Sequence, residues 1–274
     1  MDAIKCHNLS FQQGEKCLLS RVNASFIAGK VNLILGQNGA GKSTLLKLLA
    51  KSQQPSSGVI DWREQDLQTL PLPELALQRA VVEQQQTMQF DFSVRQLVSL
   101  GLEIQLGSEL VKAYQHVADF DVVLNRILQI CDLGDLAERS VLNLSGGEFK
   151  RAHLARALAQ IWPLQQTAQE QPDFSGKWLL LDEWNAALDM RHQQCFASLL
   201  KTWCAQGLGV IMVVHDLPLA QQLADRVLLL KDGQVFAEGD SQTVLQKTTL
   251  ENGLQMQLQI VEQSDGKTML LPKF

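Results

Sequence analysis

Eight consecutive residues constrain this chain more than any others: Gly36-Gln37-Asn38-Gly39-Ala40-Gly41-Lys42-Ser43. They fit G-x-x-x-x-G-K-[ST], and their context is the one this pattern requires. An apolar run, Val31-Asn32-Leu33-Ile34-Leu35, precedes them, and a Leu-rich segment from Thr44 to Lys51 follows. The first reads as a buried strand, the second as a helix. Glycines let the backbone wrap an anion without Cβ clashes, and successive N–H groups at a helix start then point at it. Lys42 is placed to bridge two phosphates and the Ser43 hydroxyl to ligate Mg²⁺. The competing reading is a Gly-rich turn that happens to contain a lysine.

Other apolar runs repeat this design. Trp178-Leu179-Leu180-Leu181 stops at Asp182, and Val210-Ile211-Met212-Val213-Val214 stops at His215. Each is too short for a helix and apolar on both faces, as interior strands of a parallel sheet are. Their C-terminal ends are where open α/β sheets bind ligands. The stretch Asp2 to Phe26 alternates and predicts antiparallel strands. Val227 to Leu230, the turn Lys231-Asp232-Gly233-Gln234, and Val235 to Ala237 predict a hairpin. From 93 to 145 the pattern is helical: Ser93 and Gln96 form a capping box ahead of Leu97, Val98 and Leu100. Val122, Val123, Ile127, Leu128 and Ile130 follow at helical spacing. Gln53–Gly58 and the Gln- and Pro-containing stretch Pro163–Gly176 read as loops. Leu254 to Leu271 alternates around Ser264-Asp265-Gly266 and predicts a terminal hairpin.

The fold class is therefore α/β: a mostly parallel sheet with an N-terminal antiparallel β part and a helical insertion. We expect one domain over 1–274, with a core at 1–92 and 146–240, a helical subdomain at 93–145 and an extension at 241–274. Apolar residues at 46% and a charged fraction of 19% supply a sizeable core. A net charge of −5 argues against a nucleic-acid partner, since phosphate backbones demand a basic surface. Five scattered cysteines without metal spacing, and no apolar signal core at the start, predict reduced thiols in a cytosolic compartment. No apolar run approaches the ~20 residues needed to span a bilayer, so membrane work requires a partner.

Two further motifs carry chemistry. Asp182 and Glu183 end a predicted buried strand. Asp182 is placed to hold Mg²⁺, while Glu183 points elsewhere and is free to polarise a water. A solvated Asp-Glu turn is the plain alternative. Leu144-Ser145-Gly146-Gly147-Glu148 precedes a helix predicted from Phe149 to Gln160. Ser145 and Glu148 make a capping box. Two glycines in a first turn nevertheless cost roughly 1 kcal/mol each relative to Ala, which points to a second anion-binding helix end.

Taken together, these motifs resemble, over nearly the whole chain, the nucleotide-binding subunits of ATP-binding cassette transporters. The resemblance implies a P-loop NTPase core binding ATP and Mg²⁺. On it, Gly36, Gln37, Asn38, Gly39, Ala40, Gly41, Lys42, Ser43 and Thr44 hold the nucleotide, and Phe11 stacks on adenine or simply joins the core. Gln84, after Ala80-Val81-Val82-Glu83, contacts Mg²⁺ and the attacking water. Ser43, Gln84 and Asp182 serve the metal, and Glu183 is the catalytic glutamate. His215 in Val213-Val214-His215-Asp216 senses the γ-phosphate. Ser145, Gly146 and Gly147 are similar to the signature turn, and Asp189 in Ala186-Ala187-Leu188-Asp189 to the loop that crosses to the other subunit. A head-to-tail homodimer follows, each ATP lying between one subunit's phosphate loop and the other's signature turn.

Three departures stand out. Glu183 is followed by Trp184-Asn185 instead of Pro and a small polar residue, so repacking of the dimer interface by Trp184 is expected. Glu148 replaces Gln, and Gln37 replaces a frequent Pro. Within the family the chain is similar to importers of iron complexes. The 163–176 insertion, Ala157-Leu158-Ala159-Gln160-Ile161-Trp162 and Arg191-His192-Gln193-Gln194 favour haem, with siderophore or cobalamin import as the alternative. The resemblance implies a peripheral subunit at the cytoplasmic face of the inner membrane, bound through transmembrane permease subunits and served by a periplasmic binding protein. Haem itself is not expected to bind here: Met88, His116 and His192 are isolated. Non-transport cassettes acting on ribosomes or DNA ends are a further alternative, but they carry two cassettes or a coiled-coil insertion and basic patches.

Overall fold

Alternation of apolar and polar residues over Ala3–Gln13 (β1) and Lys16–Ile27 (β2) gives an antiparallel pair, closed by a two-residue turn at Gly14-Glu15 with Gln13 opposite Lys16. Gly14 takes φ 60°, which such a turn requires. Ser57–Trp62 (β4) and Gln65–Asp66 (β5) complete a sheet in the order β2-β1-β4-β5. The predicted Gln53–Gly58 loop thus ends early, because Ser57 already pairs with Ser10. This is a computed structural model, and it describes residues 3–84, 88–113, 117–164, 171–185, 188–262 and 268–273. Two units arise: Met1–Leu70 with Gly209–Phe274, and Pro71–Leu208.

The first unit also holds Val31–Gly36 (β3), which runs parallel to Gly209–Val213 (β8) and to Arg226–Lys231 (β9). Every residue of β3 and β8 is buried, as runs apolar on both faces predict. Asn32 looks out of place there, at 2% exposure. Its amide accepts from Ile27 N (2.9 Å) and donates to the carbonyls of Ile27, Lys30 and Val210 (3.0, 3.1 and 3.0 Å), so the burial cost is met by bonds. Gln234–Asp240 (β10) folds back on β9 through Asp232-Gly233, both at positive φ, as the Asp-Gly turn predicts. Lys42–Leu49 (α1) packs on β3 and β8. Leu217–Leu223 (α7), Ser241–Val244 (α8) and Lys247–Leu254 (α9) precede Leu258–Glu262 (β11) and Thr268–Pro272 (β12). β11 and β12 form the expected terminal hairpin; its turn, including Ser264-Asp265-Gly266, lies outside the described residues.

The second unit opens with Leu72–Gln78 (α2) and Arg79–Val82 (β6), then Val94–Ala113 (α3) and Val117–Ile130 (α4). The Ser93–Gln96 box forms: Gln96 N donates to Ser93 Oγ (3.2 Å) and Ser93 N to Gln96 Oε1 (2.8 Å). Gly146–Ile161 (α5) begins three residues earlier than predicted, because the capping box admits both glycines into its first turn. Trp178–Asp182 (β7) runs parallel to β6, and Met190–Ala205 (α6) follows. α3 and α5 cross closely: a Cβ on Gly101 would meet the Arg156 carbonyl at 2.2 Å. Trp184, Phe196, Trp203, Trp162 and Phe174 form a run of ring contacts with centroids 4.9–6.1 Å apart. Trp184 is fully buried in it, so it fills this unit's core and does not repack a subunit surface. Among the described residues no helix is long and apolar enough to cross a membrane.

Candidate functional site

β3 delivers Gly36 at its C-terminal end, and the chain then turns through Gln37 to Gly41 into α1. Gly39 and Gly41 adopt φ 81° and 99°, a region L side chains avoid. At Gly41 an added Cβ would stand 2.6 Å from Leu19 Cδ2 and 2.8 Å from the Leu18 carbonyl. Gly41 is the N-cap of α1, without a side-chain cap and without an acidic residue in the first turn. The start of α1 thus presents N–H groups and a positive dipole end to whatever the loop encloses. Lys42, buried at 6% exposure, donates through Nζ to the carbonyls of Gly36 (2.9 Å) and Gln37 (2.8 Å). Its charge therefore rests on the loop itself. Glycine backbone, helix start and ammonium together fit a polyphosphate. Ser43 and Thr44 lie in the first turn of α1, where the Ser43 hydroxyl is close to the same loop by sequence.

His215 lies two residues past the end of β8 and is exposed; Asp216 after it caps α7 by accepting from Leu219 N (2.8 Å). A cavity of about 730 Å³ in this unit brings Gly36, Gln37 and Asn38 together with His215, Asp216 and Met256. The phosphate loop and His215 were singled out separately by sequence, and the structure places them around one space. Gln37 also donates from Nε2 to the Leu254 carbonyl at the end of α9. Phe11 sits on β1, half-buried, and so is not an interior core residue.

In the second unit β7 ends at Asp182, buried at 5% exposure. Glu183 takes a left-handed φ of 48°, so the chain leaves the extended strand conformation at this residue. There Gln84 Nε2 donates to Glu183 Oε2 at 2.6 Å, so two residues 99 apart in sequence share one hydrogen bond. Lys150 of α5 donates to the Glu83 carbonyl (3.2 Å). Burial lowers the Lys150 pKa, and the carboxylates of Asp182 and Glu183 oppose that shift. Sequence reasoning missed Lys150, which sits beside Arg151 in a helix start rich in charged residues and carries no local signal of its burial.

Ser145 caps α5 in a reciprocal box: Ser145 N donates to Glu148 Oε2 (2.7 Å) and Glu148 N to Ser145 Oγ (3.4 Å). The backbone bond from Ser145 holds the Glu148 carboxyl below its usual range. A Cβ on Gly146 would meet nothing within 4 Å, and its φ is not left-handed. Nothing among the described residues requires glycine there. Asp189 caps α6, accepting from His192 N (2.9 Å). Ala186 and Ala187 lie outside the described residues, as does His116, while His192 is engaged by carboxylates on both sides. Among the described residues no group of three or more His, Cys, Asp or Glu side chains is arranged to hold a metal ion.

A glycine-lined anion cradle at one strand end, with an acidic pair at another, defines a nucleotide-binding P-loop protein. A model of the ABC transporter family matches residues 19–165, and the chain belongs to that family. It is 35% identical over 248 residues to the hemin import ATP-binding protein HmuV of Hahella chejuensis, covering 90% of each chain. It is 37% identical to the protein of that name from Escherichia coli O157:H7, again over 90% of each. With the Rhodopseudomonas palustris (strain BisB5) protein it shares 33% over 271 residues, 99% of this chain and 97% of the other. Among solved structures, a metal-chelate type ABC transporter in an inward-facing conformation superposes with a TM-score of 0.77 at 25% identity, covering 100% of this chain and 98% of that one. A nucleotide-free ATP-binding cassette from an ABC transporter shows the same fold, with a TM-score of 0.71 at 21% identity over 92% and 95%.

Proposed function

We propose that this chain is the ATP-hydrolysing subunit of a membrane importer, that it works as a head-to-tail homodimer, and that the cargo is haem. The observation that carries the ATPase reading is the phosphate loop: left-handed glycines, an uncapped helix start and the buried Lys42 in one turn. The loop N–H groups and Lys42 hold the β- and γ-phosphates, and Lys42 exchanges its two carbonyl contacts for phosphate oxygens. Phe11 offers a face to the base. Mg²⁺, held by Ser43, Gln84 and Asp182, would neutralise charge that develops on the transferred phosphoryl group. Glu183 orients and polarises the attacking water; Gln84 fixes the carboxylate that does so. His215 contacts the γ-phosphate and reports its loss.

The dimer reading is supported by Gly146. A position where the described residues leave room for a side chain is glycine, which suits the close approach of the other subunit's nucleotide. Ser145, Gly146, Gly147 and Asp189 are the surfaces offered across that dimer. In this reading 1–92 with 146–240 is the catalytic core, 93–145 the helical subdomain and 241–274 an extension. The subunit lies at the cytoplasmic face, bound to transmembrane permease subunits, with a periplasmic binding protein supplying cargo. Haem as cargo is supported by the relatives at 33–37% identity. The metal-chelate transporter favours a second reading, import of another chelated metal such as a siderophore complex or cobalamin.

The test is growth and uptake. Cells lacking this chain, supplied with haem as sole iron source, should recover haem uptake with the wild-type protein and not with Glu183→Gln. Recovery of siderophore or cobalamin uptake but not of haem uptake would reject the cargo. Equal uptake with Glu183→Gln would reject the ATPase reading.

A further inference from the structure

His192 stands between two carboxylates that lie 57 residues apart. Its Nδ1 is 2.8 Å from Asp189 Oδ1, and its Nε2 is 3.0 Å from Asp132 Oδ2. Asp189 heads α6. Asp132 follows α4 and is itself held at φ 53°, a left-handed conformation costly for a residue with a side chain. Arg151 of α5 continues the chain of contacts: its Nη2 donates to the Asp132 carbonyl at 3.4 Å. One line of polar contacts therefore runs from the helix that Ser145 caps, through Asp132 and His192, to the Asp189 turn. Both aspartates sit below their usual carboxyl pKa, Asp132 first because of the His192 side chain and Asp189 first because of the His192 backbone N–H.

A cavity of about 190 Å³ lies beside the ring, bordered by Cys131, Asp132, Arg151, Arg191, His192 and Cys195. A carboxylate at each ring nitrogen fixes the orientation of the ring. We propose that His192 is a positioning residue for turnover: it locks the Asp189 turn to the Asp132 segment and so to the signature helix, making the two surfaces offered to the other subunit one unit. This rests on the ATPase and dimer reading above. His192 is not among the residues assigned to nucleotide or metal above, so its loss should slow turnover without loosening ATP.

His192→Ala, Asp132→Ala and the double variant should be compared by steady-state ATPase in the full-length chain, with Glu183→Gln as a parallel control. Each single variant should lose about three- to tenfold in kcat, the range that coupling through one contact supports, with KM for ATP changed less than about twofold. The double variant should be no slower than the slower single one, because both break the same link. His192→Asn provides a second route if alanine impairs folding. Its amide reaches Asp189 from the Nδ1 position but falls short of Asp132, so it should match Asp132→Ala in kcat. Additive losses, wild-type kcat in the single variants, or a KM rising in step with falling kcat would overturn the proposal. A Glu183→Gln control as fast as wild type would sink the ATPase reading beneath it, whereas a dead control beside a fully active His192→Ala removes this inference alone.

Discussion

Gly101→Ala sets two effects of opposite sign against each other at the crossing of α3 and α5. Alanine in a helix interior is worth about 1 kcal/mol over glycine, so propensity favours the variant. The added Cβ, however, meets the Arg156 carbonyl oxygen at 2.2 Å, Ala159 Cβ at 2.9 Å and Gln160 N at 3.0 Å. All three belong to α5, and two of the contact atoms are backbone, so no rotamer change relieves the clash. The helices must separate by nearly 1 Å, which opens the packing along their shared face. Overpacking of this kind costs about 1–3 kcal/mol, and a backbone contact this short belongs at the upper end. The net expectation is a loss of about 1–2 kcal/mol after the propensity gain. Urea unfolding followed by circular dichroism should show a lower midpoint at unchanged slope. ATP affinity should be unchanged, since the phosphate loop lies in the other unit. An equal or higher midpoint would refute the reasoning, because it would mean that α5 yields without cost.

Lys42→Ala should weaken ATP binding by roughly 1.5–3 kcal/mol, the worth of a charge-assisted contact, as measured by calorimetry; unchanged affinity would remove the phosphate-loop reading. His153 is buried at 5% exposure and its pKa is pushed down to about 4, first by burial and then by Arg156 and Lys150. The unfolded chain binds that proton more readily, so His153 should lower stability as pH falls from about 6.5 to about 4. His153→Phe should flatten the dependence in that window, and an unaltered slope would contradict the burial argument. Cys6 and Cys131 are buried and raised to about 12, and Cys204 is buried too, whereas Cys17 and Cys195 are exposed. Maleimide at pH 7 should therefore label Cys17 and Cys195 first, read by mass spectrometry; early labelling of Cys131 would show that the α4 end opens.

The strands were legible because period and burial agree. β3, β7 and β8 are short runs apolar on both faces, with Asn32 and the terminal Asp182 as polar exceptions, and are fully buried in the fold. The phosphate loop was legible because its glycines must adopt positive φ and its lysine must follow at a fixed offset. The start of α5 was read late because glycines ordinarily disfavour a first turn, and only the reciprocal Ser145–Glu148 bonds admit them. Trp184 misled because local sequence says nothing about the side of the turn on which a side chain falls. The left-handed φ of Glu183 beside it and the stack on Phe196, 4.9 Å away, are tertiary facts. Likewise, the Gln84–Glu183 bond and the Asp132–His192–Asp189 chain join residues far apart in sequence. No spacing rule announces them.

The central claim is that the phosphate loop and the Ser145 turn complete each other's site across a dimer. Ser145→Arg puts a long cation where the other subunit's γ-phosphate must sit, while ATP binding to the monomer survives. Lys42→Ala disables the opposite half. Each alone should fail to form an ATP-dependent dimer by light scattering. Mixed, some heterodimers carry both defects in one site and an intact composite site in the other, so partial ATP-dependent dimerisation should return. If cap loss were the only effect of Ser145→Arg, it would cost about 1 kcal/mol of stability and leave dimerisation intact. No recovery at any mixing ratio, with both proteins folded, would contradict the account.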